Sequence, residues 1–162
     1  MRLGKLVAAL GLSALAFPTT ANAQEFRSGD IFAPFVLICL QNVGDSEAQL
    51  DAARSLESVT EPQSVWTLLE ETTSGSRTLL TFESAFVEVS SSLCSFGSEV
   101  SADVTREVFV EGLTEIFGGM EPTPRIGSDE VSWMAGIGGN PVMISADLIQ
   151  REQSNYALLK VQ

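Results

Sequence analysis

Carboxylates are the most plentiful reactive groups in this sequence, with 21 acidic side chains against 9 basic ones and no histidine in 162 residues. Glu70-Glu71, Glu83, Glu88 and Asp129-Glu130 are the candidates for a glycosidase-type pair. Such a pair needs two carboxyl groups about 5–10 Å apart in a cleft. Trp66, Trp133 and Tyr156 are the aromatic residues available as a sugar platform. The chain is short for a cleft enzyme, and acids on solvated strand faces are the ordinary outcome. Without histidine, Ser-His-Asp and Cys-His nucleophiles, imidazole proton relays and His-ligated metals are all excluded. Ser90, Ser91 and Ser92 have no G-x-S-x-G elbow around them, and only Lys160 stands as base for a Ser-Lys dyad, so they read as a solvated strand end.

No cofactor motif is present. The alternating Asp/Asn pattern of a calcium-binding EF-hand is absent, and the acidic pairs offer too few ligands for a metal. The stretch Gly136-Ile137-Gly138-Gly139-Asn140 lacks the lysine and the following helix of a phosphate loop and reads as a hairpin connection, mobile because of its glycines. Gly136, Gly138, Gly139 and Asn140, with Trp133 beside them, form a candidate binding loop. Trp66, Trp133 and Phe96 have two readings, as fillers of a core or as exposed anchors for a partner, and burial decides between them.

Residues 1–23 read as a cleaved secretory signal peptide. Arg2 and Lys5 are its basic start, residues 6–17 its apolar segment, and Pro18 precedes the small-residue site Ala21-Asn22-Ala23. The rival reading, an uncleaved anchor, needs roughly twenty apolar residues. Cleavage leaves Gln24 as the first residue of a single domain, residues 24–162. No cysteine stands at the cleavage point for lipidation. Residues 31–40 are apolar but too short to span a bilayer, so no membrane insertion is expected after cleavage.

Export places Cys39 and Cys94 in an oxidising compartment, periplasmic or extracellular, where a disulfide between them is the expected state. Buried free thiols and a redox pair are the alternatives. The second has no C-x-x-C and no nearby lysine or histidine to lower a thiol pKa. The formal charge of −12 becomes more negative by two once Arg2 and Lys5 leave, which argues against nucleic acid and anionic membranes. The acidity serves solubility, or else a cationic partner.

The elements that must position these groups follow from patterning. Residues 31–40 fit a short helix capped by Asp30 or a buried strand, with helical spacing of Phe32, Phe35 and Cys39 favouring the helix. Residues 45–56 read as a helix, with Ser46 and Gln49 forming a capping box, and Pro62 ends the connection after it. Strands are expected at residues 65–71 and 78–89 around a turn at residues 73–76, the second running on toward Phe96. Residues 101–117 read as a helix capped by Ser101 and stopped by Gly118-Gly119. Pro122 and Pro124 make an extended link to a meander of residues 130–135, 142–149 and 155–161.

The fold class is therefore α+β, an antiparallel sheet with two or three helices packed on one face. Each half runs from a cysteine to a capped helix and then to two or three strands, an order that suggests two α-β-β units with the disulfide joining equivalent points. Phe35, Cys39, Leu40 and Cys94 resemble the F-x-x-x-C-L start and mid-chain strand cysteine of a family of small uncharacterised exported bacterial proteins. That resemblance implies a fold class and no mechanism. Function is expected to be that of an exported, non-catalytic domain binding a small ligand or an exported or envelope protein, with a histidine-free hydrolase using paired carboxylates as the alternative.

Overall fold

The computed structural model describes residues 28–56 and 66–162. The leader with Ala21, Ala23 and Gln24, and also Pro62 and Val65, lie outside the described residues. Helix α1, Ser28–Phe35, continues as a π turn over Val36–Leu40. Helical spacing thus decides the first ambiguous run. Pro34 has no N–H to offer the preceding turn, and the ladder widens just after it. Helix α2 spans Ser46–Arg54 and α3 spans Arg106–Ile116.

Eight strands form one antiparallel sheet: β1 Glu70–Ser74, β2 Arg77–Thr81, β3 Ala85–Val89, β4 Cys94–Val100, β5 Thr123–Pro124, β6 Val131–Ile137, β7 Asn140–Gln150 and β8 Asn155–Val161. Their spatial order is β1-β2-β3-β4-β8-β7-β6-β5. Each half is thus a four-strand meander, and the two meanders meet along the antiparallel β4–β8 seam. The order reads the same from either edge. Helix α2 packs on β3 and α3 on β7, while α1 and its π turn lie over the seam.

One row of side chains shows how the sheet is covered. Leu80, Val87, Phe96, Leu159, Ala146 and Val131 are in register across six strands, and all are buried under the helices. The period-two alternation sends the neighbouring residues Leu79, Glu88, Ser95, Lys160, Ser145 and Ser132 to the opposite, open face. Aromatic contacts tie the helices together and to the sheet: Phe32 meets Phe117 edge-on at 5.3 Å, and Phe117 stacks on Trp133 at 4.9 Å.

Several expected boundaries shift. Residues 78–89 are two strands, folded back at residues 82–84 where Phe82 N–H donates to the Ala85 carbonyl. A second reversal, at Ser90, Ser91 and Ser92, separates β3 from β4, with Cys94 the first residue of β4. The cap of α2 is Asp45, whose carboxylate accepts from Ala48 N–H at 3.0 Å, so the capping box from Ser46 to Gln49 does not form. The cap of α3 is Thr105 instead of Ser101, whose carbonyl accepts from Val104 N–H in a separate turn. Gly118 and Gly119 donate to the carbonyls of Glu115 and Thr114, the bonding of a Schellman stop.

Each unit therefore carries four strands, more than the two or three expected. The boundary falls after Val100, so both cysteines belong to the first unit. The disulfide closes that unit onto the seam and does not tie equivalent points of the two.

Candidate functional site

The acidic candidates are dispersed. Glu70 and Glu71 are neighbours on β1, so the pleat sends them to opposite faces. Glu71 is held by Arg54 of α2 at 2.6 and 3.1 Å, and this bond lowers its carboxyl pKa. Glu88 is paired with Arg77, and Asp129 with Arg106 at 3.4 Å. Glu83 is exposed in the reversal between β2 and β3. Strands β1 and β6 are six spacings apart, about 29 Å measured along the sheet. Glu70 and Glu71 are therefore far beyond hydrolase distance from Glu130, which immediately precedes β6.

Glu130 is the one candidate acid that is buried, at 7% exposure. Its carboxylate accepts from Lys160 Nζ at 2.7 Å and from Arg125 Nη1 at 2.9 Å. The bond from Lys160 pulls its pKa below 4.5, and the Arg125 bond adds to this against the opposing effect of burial. A general acid at neutral pH needs the opposite shift. What the pair does is fix the start of β6 to β8 across the open face. Lys160, considered above as a serine base, is committed to this bond, and Ser90, Ser91 and Ser92 lie in the β3–β4 reversal.

Cys39 and Cys94 form the disulfide, with Cα atoms 5.5 Å apart and both residues buried. It joins the π turn over the seam to the first residue of β4.

The candidate binding loop is a tight hairpin. Ile137 pairs with Asn140, leaving Gly138 and Gly139 as the two-residue connection. Their φ values of +58° and +85° are those a primed turn demands, which explains two glycines in succession. Gly136 and Asn140 accordingly belong to β6 and β7, and the long connection expected from the sequence is not formed. Trp133 is 2% exposed and its Nε1 donates to the Met120 carbonyl at 2.9 Å, so it fills the core, as do Trp66 and Phe96. Met134, next to it on the open face, is 59% exposed. With Gly136, Asn140 and Pro141 it borders an open depression of about 470 Å³.

A smaller cavity, of about 150 Å³, lies where the start of α2 faces the Ser90–Ser92 reversal and the ends of β4 and β8. Its most enclosed polar residue is Gln49, 4% exposed. Patterning singled out Gln49 only as part of a capping box. A glutamine among alanines and leucines on the buried stripe of an amphipathic helix is the signal that marks it.

Comparison with family models, with curated proteins and with solved structures finds no match to this chain. The resemblance carried by Phe35, Cys39, Leu40 and Cys94 thus rests on those residues alone.

Proposed function

We propose that this chain is exported through its cleaved leader and works in the periplasm or outside the cell as a non-catalytic module that binds an exported or envelope protein. The disulfide supports an oxidising location. Among the described residues no helix is long and apolar enough to cross a membrane. The observation that carries the binding role is the rim of the β6–β7 hairpin, where Met134 projects from the open face beside Gly136, Asn140 and Pro141. An exposed, flexible thioether next to a rigid glycine turn suits a protein contact. Neither of these two cavities is lined by an Asp or Glu side chain, which is why binding is preferred over hydrolysis.

The test is affinity capture from the native cell envelope with the wild-type protein and with Met134→Glu. One partner should be enriched by the wild type and lost with the variant. Equal capture by both would place the contact elsewhere. Mass spectrometry of the exported form should begin at Gln24, and a chain still starting at Met1 would overturn the export reading.

A further inference from the structure

The two units differ at one place in a way that leaves a cavity in the first of them. In the second unit, Val104 immediately precedes the Thr105 cap and Phe109 lies four residues after it, the two positions of a hydrophobic staple, and both are buried. Asn155 seals the same corner by donating from Nδ2 to the carbonyls of Ala102 and Val104, at 3.3 and 2.9 Å. In the first unit the same positions relative to the Asp45 cap are Gly44 and Gln49. Gly44 has a φ of +83°, a conformation that side chains rarely take, so no apolar residue can stand there to close a staple. The 150 Å³ cavity occupies this corner.

Gln49 makes the cavity more than a packing gap. Its backbone N–H bonds to the Asp45 carbonyl at 3.0 Å, but its side-chain amide has no hydrogen-bond partner among the described residues. No buried side-chain polar atom of the described residues is both sealed and unpaired. The small exposed remainder of Gln49 must therefore include its amide, and that amide opens into the cavity it lines. An amide this enclosed takes its hydrogen bonds from whatever enters the cavity, water or a ligand that presents the same polar pattern.

The surroundings define the chemistry. Ser46 and the serines of the β3–β4 reversal supply hydroxyls, Val43 and Leu93 an apolar wall, and no ionisable side chain lines the space. The α2 N-terminus disfavours a cation, while the Asp45 cap and Glu47 in the first turn disfavour an anion. A planar carboxamide presents an adjacent acceptor and donor, and the group that matches both is another amide.

We propose that this cavity binds a small neutral amide, of the N-acetyl or carboxamide class, paired with Gln49 and resting on Val43 and Leu93. This site is separate from the β6–β7 hairpin, so it stands or falls independently of the partner proposed there.

The experiment is a titration of the ¹⁵N-labelled protein, followed by amide chemical shifts, with N-acetylglycinamide and with its charged counterpart N-acetylglycine. The neutral probe should shift the resonances of Gly44, Gln49, Ser91 and Cys94 saturably in the millimolar range, about what so small a molecule can supply. The carboxylate should bind roughly tenfold more weakly, since its charge finds no partner. Gln49→Leu should weaken the neutral probe by about tenfold while leaving the melting temperature unchanged or higher, because the deleted amide has no partner within the protein. Absence of saturable shifts up to about 100 mM would overturn the proposal. So would equal binding of the charged probe, undiminished binding by Gln49→Leu, or a lower melting temperature for that variant, which would make the amide structural.

Discussion

Glu130 occupies a position that strand alternation assigns to the open face, yet Lys160 and Arg125 close over it until it is nearly buried. Because its pKa is depressed, the folded state favours the charged form. The resulting stability is present above the ordinary value of 4.5 and is lost as pH falls through the lower folded value. Glu130→Gln should therefore cost about 1–2 kcal/mol at neutral pH, part of it from leaving Lys160 without its partner. The gap from wild type should narrow progressively as pH falls below 4.5. Urea midpoints from neutral to acid pH check this, and a gap that does not narrow as pH falls below 4.5 would refute it. A second residue-scale dependence lies on the same face. A Cβ at Gly97 would sit 2.3 Å from the ring of Phe86, its cross-strand neighbour, so the ring covers the glycine. Gly97→Ala alone should destabilise by about 1–2 kcal/mol, since the ring must move. In a Phe86→Ala background the same change should be neutral or favourable, because glycine within a strand is itself unfavourable. Strict additivity of the two changes would show that the ring does not depend on the glycine.

At the scale of elements, the helices were legible in the sequence and their ends were not. Ser46 and Asp45, like Ser101 and Thr105, are nearly equivalent as caps by intrinsic preference, and what separates them is which residue takes an extended backbone before the first turn. Asp45→Ala should accordingly destabilise by about 1 kcal/mol. Ser46→Ala should stay within about 0.5 kcal/mol. Thermal unfolding of the two variants distinguishes the assignments, and the reverse order would restore Ser46 as the cap. The strands show a different limit. Residues 78–89 contain neither glycine nor proline, so nothing local announces the reversal at residues 82–84; the pairing of Leu80 with Val87 across it imposes the fold-back. The hairpin at Gly138 and Gly139 was legible because its turn type requires positive φ at both positions. Of the functional candidates, the cysteine pair followed from composition and from the compartment that the leader leads one to expect. Gln49 did not, because its meaning depends on a comparison with Phe109 that only the shared architecture of the two units makes visible.

Over the whole molecule, the palindromic strand order places the two most distant strand partners in sequence, β4 and β8, at the centre of the sheet. No local pattern specifies that seam, since its cost is the closure of a long chain segment and its gain is the buried row it completes. Helix α1 with its π turn covers the seam from one side, and the described chain fastens it there covalently only at Cys39–Cys94. The bond spans 55 residues, which in the chain-entropy model stabilises the fold by roughly 4 kcal/mol through the unfolded state. Because α1 and the π turn also bury Phe35, Ile38 and Leu40 against the sheet, reduction should leave the native packing in place and act mainly on the unfolded ensemble. The expected outcome is a melting temperature lower by about 10 °C after reduction, with near-ultraviolet circular dichroism of the folded state unchanged. The Cys39→Ala/Cys94→Ala variant should melt at the reduced midpoint whether or not reductant is present. If reduction left the wild-type midpoint where it was, the seam would be held by packing alone. If it abolished the native spectrum at room temperature, α1 would depend on the bond for its position, and the burial of Phe35 and Ile38 would be a consequence of the disulfide instead of a contribution beside it.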